Sequence, residues 1–126
     1  MIKETLTYKD FNGEERTDDF YFHMNALEWL RIDKKYGGIQ EYVRRAVKDN
    51  DEYAILNMLE DLIKSSYGEK SLDATRFVKS PELVEKFTQT EAYSDMLIGF
   101  FTDTQKGIDF FNRLIPENIK SEESST

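Results

Sequence analysis

YKDFNGEERTDDFYF, Tyr8 to Phe22, is the stretch whose reading decides the fold. Asn12-Gly13 between strand-like runs is a turn signal, and the question is register. With Asn12 and Gly13 as a two-residue loop, Phe11 faces Glu14 and Leu6 faces Asp19. Phe20 and Phe22 then fall on the face opposite Leu6 and Tyr8. With Phe11-Asn12-Gly13 as a three-residue loop, Asp10 faces Glu14, Ile2 pairs with Phe22, Glu4 with Phe20, Leu6 with Asp18 and Tyr8 with Arg16. Ile2, Leu6, Tyr8, Phe20 and Phe22 now share one side. Burial of one face fixes register, so the second arrangement is selected. Asp10 suits the first position of a type I turn, and Gly13 suits the left-handed residue of the bulge that follows. A lone hairpin with one apolar face is marginal in water, so helices must cover it.

The rest of the chain supplies them. In HMNALEWLRIDKKYGG, Asn25 is an N-cap with Glu28 completing a capping box, and Met24 staples onto Trp29. Leu27, Leu30 and Trp29 form the apolar side, and Gly37-Gly38 stops the helix. Ile39, Tyr42, Val43, Ala46 and Val47 then recur at helical spacing. Asn50 or Asp51 caps a third helix, whose Ile55, Leu56, Leu59, Leu62 and Ile63 make the strongest apolar face; Gly68 is expected to end it. Glu69 to Lys79 reads as an ordered loop or a short extended pair around Asp73-Ala74. Ser80-Pro81-Glu82 opens a helix with Leu83, Val84 and Phe87 inward. Thr88 or Thr90 opens the next, carrying Tyr93, Met96, Leu97, Phe100 and Phe101. A last helix, with Ile108, Phe111 and Leu114 or Ile115 inward, halts at Pro116. The expectation is an α+β fold: an N-terminal β-hairpin packed on a bundle of five or six short helices, one domain over 1–116 and a disordered polar tail over 117–126.

Composition narrows the function. The 126 residues suit one core. There is no Cys, which excludes disulfides and thiolate metal sites. Neither a signal peptide nor an apolar run of about 18 residues is present, so a soluble protein of the host cytoplasm is expected, with no membrane partner. Lys plus Arg number 17 against 25 Asp plus Glu, a net charge of -8, which disfavours nucleic acid. Arg44-Arg45 is the best basic patch, and it is a weak one.

Signals for chemistry are sparse. His23 is the sole histidine, at the strand-to-helix junction, and no nucleophile is marked beside it. Asp49-Asn50-Asp51-Glu52 lacks the alternation, central Gly and terminal Glu of a calcium loop and reads as a capping turn. In YGEKS, Glu69 stands where a phosphate loop needs glycine. No catalytic residue, cofactor or metal site is expected. The aromatic pairs Phe100-Phe101 and Phe110-Phe111 carry more. A helix turns about 100° per residue, so both rings of a pair do not enter one narrow seam. A wide core face is one reading, and an aromatic patch for a partner protein is the other. The candidate contact set is Tyr93, Phe100, Phe101, Phe110 and Phe111, with Trp29 beside it.

Three segments in order, MIKETLTYKDFNGEERTDDFYF, SYGEKSLDATRFVKS and FTQTEAYSDML, carry a resemblance. From Met1 to Pro116 the chain resembles the tail assembly chaperones of long-tailed phages and of prophages in Gram-positive bacteria. It departs from that pattern at Asn25, where Ser is frequent, and at Leu72-Asp73-Ala74, where a Pro-Asp-Gly-like turn is usual. The resemblance implies a non-catalytic chaperone that binds the tape-measure protein and keeps it soluble while tail-tube subunits assemble. The implied partners are the tape-measure protein and, second, the tail tube protein, with homo-oligomer formation left open. It also implies that this chain is the shorter of two products of a frameshifted gene. The rival reading is a structural tail component, a connector or terminator subunit retained in the virion.

Overall fold

Ile2 lies opposite Phe22, Leu6 opposite Asp18 and Tyr8 opposite Arg16 in the first two strands, β1 (Ile2–Lys9) and β2 (Glu15–Phe22), which is the three-residue-loop register. In this computed structural model, which describes residues 1–119, the Asp10 N–H donates to the Glu14 carbonyl (2.9 Å) and the Gly13 N–H to the Asp10 carbonyl (3.0 Å). Gly13 takes φ +80°, the left-handed value the bulge requires. Asp10 also accepts the Arg16 guanidinium and the Glu14 and Asn12 N–H groups, which lowers its pKa.

Helices α1 (Ala26–Lys35), α2 (Ile39–Lys48) and α3 (Glu52–Ser66) follow, then strands β3 (Tyr67–Lys70) and β4 (Phe77–Val78), then α4 (Pro81–Thr88), α5 (Glu91–Thr102) and α6 (Thr104–Leu114). This is the α+β architecture expected, with six helices among the described residues. The Asn25–Glu28 capping box is complete, and Asp51, Ser80 and Thr90 cap α3, α4 and α5. Leu27 and Leu30 correct the reading of α1. Both are 56% exposed, because Trp29 and Ile32 supply the face that meets the core.

Gly68 does not end α3. The helix closes at Ser66, whose buried hydroxyl donates to the Leu62 carbonyl (2.7 Å), and the chain leaves as a strand. Tyr67 pairs with Phe22 and Gly68 with Tyr21, so the hairpin becomes a four-stranded antiparallel sheet in the order β1-β2-β3-β4. Glycine is required at 68 for space: a β-carbon there would lie 2.6 Å from both the Phe77 ring and the Val78 carbonyl oxygen. Of the two readings of Glu69 to Lys79, the extended pair is the one formed. Asp73 organises its turn by accepting from Ser71 and Thr75.

The inner face of the hairpin meets an aromatic cluster. Tyr67 stacks on Phe87 at 4.4 Å, and Phe22 packs edge-on against Phe110 at 5.5 Å. α5 touches β1, α3, α4 and α6, and shares the centre with α3. Pro116 stops α6 as expected, yet the Ile119 N–H returns to the Pro116 carbonyl (3.1 Å). That turn brings Ile119, assigned from sequence to the polar tail, into the core at 9% exposure. The remainder of the expected tail, 120–126, lies outside the described residues. No helix of the described residues is long and apolar enough to cross a membrane.

Candidate functional site

Four helices leave an apolar groove of about 640 Å³ between them. α2 contributes Val43 and Val47, one turn apart on one face. α3 contributes Ile55, Met58 and Leu59, α5 contributes Phe100 and Phe101, and α6 contributes Ile108 and Phe111. Among the described residues Glu52 is the one ionisable residue lining it. Val47 is 59% exposed and Ile108 46% exposed, although their spacing placed both in core stripes. They stand at the outer edge of stripes that are wider than the core they cover.

The corner between α5 and α6 builds one wall. Asp103 ends α5 and caps α6, so the chain reverses with no intervening loop. The two aromatic pairs then divide, as a 100° step requires. Phe110 turns inward at 2% exposure, while Phe100, Phe101 and Phe111 are half-buried and line the groove. Expecting Phe111 and Ile108 as the core face of α6 is therefore corrected: Gly107, Phe110 and Leu114 form that face.

Five of the six candidate residues sort into lining and support. Phe100 lies on Phe110 with ring centroids 4.7 Å apart, and Phe111 is met edge-on by Trp29 at 5.6 Å. Trp29, at 3% exposure, thus backs the groove wall from inside. Tyr93 belongs to neither group. It is buried against Phe87 at 5.5 Å, and its hydroxyl donates to the Glu60 carboxylate. Burial and that carboxylate together raise its pKa. Sequence reasoning missed Val43, Val47, Ile55 and Ile108 as lining residues, and the excess width of their stripes was the signal available.

His23 is outside the groove. It is half-buried, edge-on to Phe77 at 5.8 Å, and burial lowers its pKa. Arg44 and Arg45 both pair with Glu41, which compensates the basic patch. Among the described residues no group of three His, Cys, Asp or Glu is placed to hold a metal. The groove offers shape and apolar area, which are means of binding.

The sequence profile of the family described as phage tail assembly chaperone matches residues 1–126. The chain belongs to the phage tail assembly chaperone family. No curated protein and no solved structure matches it. The family makes this chain a tail assembly chaperone, with protein partners in tail assembly.

Proposed function

We propose that this tail assembly chaperone binds the tape-measure protein by taking one of its amphipathic helical segments into the groove between α2, α3, α5 and α6. The single observation that carries the reading is the groove itself: an open apolar trough walled by half-buried Phe100, Phe101 and Phe111. Apolar patches of this kind on an otherwise charged protein mark interaction sites. Helix-in-groove docking is the mode that four surrounding helices suit. A tape measure is a long helical chain whose apolar stripes aggregate when bare, and covering them with a protein of net charge -8 keeps the pair dispersed. The work is non-catalytic and takes place in the host cytoplasm before the tail tube closes.

Co-expression with the tape-measure protein tests this. The expected result is that the two co-purify and the tape measure stays soluble, and that Phe101→Asp abolishes both effects. A tape measure equally soluble with and without the chaperone overturns it. Purified virions separate the rival reading, since a chaperone is missing from them and a connector or terminator subunit is present.

A further inference from the structure

The free edge of β1 lies apart from the groove. Asp10 and Glu14 form a hydrogen-bonded pair through the Asp10 N–H. Bonded and non-bonded pairs alternate along an antiparallel ladder, so Tyr8, Leu6 and Glu4 turn their backbone groups toward β2. Thr7 and Thr5 occupy the closer, non-bonded sites, where Thr7 meets Thr17 and Thr5 meets Asp19 through side chains. Lys3, Thr5, Thr7 and Lys9 therefore direct their N–H and C=O groups away from the sheet. Among the described residues β1 pairs with β2 alone, and no other backbone bond is made by these four. The strand is eight residues long, with neither proline nor bulge to blunt it. A cleft of about 440 Å³ lies between β1, from Glu4 to Tyr8, and helices α5 and α6, with Asp95, Lys106, Asp109 and Arg113 in its lining.

We propose that β1 is the pairing edge of a two-fold dimer in which Thr5 stands opposite Thr5 of a second copy and two four-stranded sheets become one. The register follows from charge. Pairing must keep both apolar faces on one side, which leaves a short set of two-fold registers. Centred on Glu4, that carboxylate faces its own counterpart. Centred on Leu6, Lys3 faces Lys9, and centred on Thr7, Glu4 faces Asp10. Centred on Thr5, Lys3 faces Thr7, Glu4 faces Leu6 and Ile2 faces Tyr8, so no like charges are directly opposed. The cleft wall carries both signs, with Arg113 bonded to Glu4 at 3.2 Å, so the net negative charge is not concentrated at this edge. The residue pattern is complementary to itself, which is what a second copy requires.

Sedimentation equilibrium of the full chain tests the dimer, and two substitutions test the edge and the register. Thr5→Pro removes an N–H that already points outward and gives up only the exposed Thr5–Asp19 side-chain bond, so the chain is expected to keep its folded circular dichroism spectrum while the dimer is lost. The chain has no Cys, so a single introduced one reports only contacts between copies. Thr5→Cys is expected to be captured as a dimer by a short bismaleimide. Lys9→Cys is not, because eight residues at about 3.3 Å each put it roughly 26 Å along the strand from its counterpart. A wild-type chain that stays monomeric at every concentration overturns the proposal. So does a Thr5→Pro dimer of unchanged affinity, or capture of Lys9→Cys as efficient as that of Thr5→Cys. If Thr5→Pro fails to fold, the bismaleimide pair decides alone.

Discussion

Gly107 of α6 lies against the backbone of Phe100 in α5: a β-carbon at 107 would stand 2.8 Å from the Phe100 carbonyl oxygen. This approach holds the two helices close enough for Phe100 to rest on Phe110 and for Phe111 to close the groove. Gly107→Ala forces the helices apart, because a carbonyl has no rotamer to move into. Overpacking of this kind costs about 1–3 kcal/mol, against up to about 1 kcal/mol gained from better helix propensity. The expected net loss is about 1 kcal/mol in urea denaturation, with weaker capture of the tape-measure protein.

Within each aromatic pair the two rings are expected to fail differently. Phe110→Ala empties a site at 2% exposure and should cost about 3–5 kcal/mol, enough to unfold a marginal domain. Phe101→Asp and Ile108→Asp alter half-buried or exposed groove positions and should cost clearly less than Phe110→Ala, about 1–2 kcal/mol. Both should nonetheless abolish co-purification with the tape measure. Equal loss of stability at 101 and 110 would remove the distinction between lining and support.

These pairs show how far the sequence could be read. Capping signals and periodicity together located every helix, and burial of one face fixed the hairpin register, because these are local rules. Periodicity also showed that adjacent phenylalanines must point apart. Which of Phe110 and Phe111 turned inward depended on where Phe22 and Trp29 lay, and that is tertiary information. Gly68 misled for a related reason. A glycine after a helix usually ends it, but here Tyr67 and Gly68 had strand partners more than forty residues earlier in Tyr21 and Phe22. The groove was invisible as a shape, since Val47 and Ile108 fit core stripes until helices on either side left them uncovered.

The turn between β3 and β4 yields a gain-of-stability prediction. Ala74 sits at φ +62°, in the left-handed region that disfavours a β-carbon. Its N–H donates to the Ser71 carbonyl (2.9 Å), so the strained geometry is held by the turn. Ala74→Gly relieves that strain at some cost in unfolded-state entropy. A net rise of up to about 1 kcal/mol is expected, measured by thermal or urea unfolding. An unchanged or lower stability would mean the strain at Ala74 is negligible.

Acid should loosen the contact between α1 and α3 through Asp61. Its carboxylate accepts from Lys35 (2.7 Å), the Tyr36 hydroxyl (2.7 Å) and Ser65 (3.3 Å). Burial pushes its pKa up, but the Lys35 ammonium and the Tyr36 hydroxyl together outweigh that and leave it below the usual carboxylate range. A lowered folded-state pKa means the native state holds the proton less tightly than the unfolded chain. The stabilisation is therefore complete above the ordinary Asp value of about 3.9 and disappears as pH falls through the lower folded value. Lys35 is largely exposed, so solvent screening limits the effect to about 1 kcal/mol. Asp61→Asn should be less stable than wild type at pH 7, and the gap should close as pH falls through the lowered folded value, followed by urea midpoints across the acid range. A gap between the two proteins that stays constant with pH would assign the contact to packing of Tyr36 rather than to the charge.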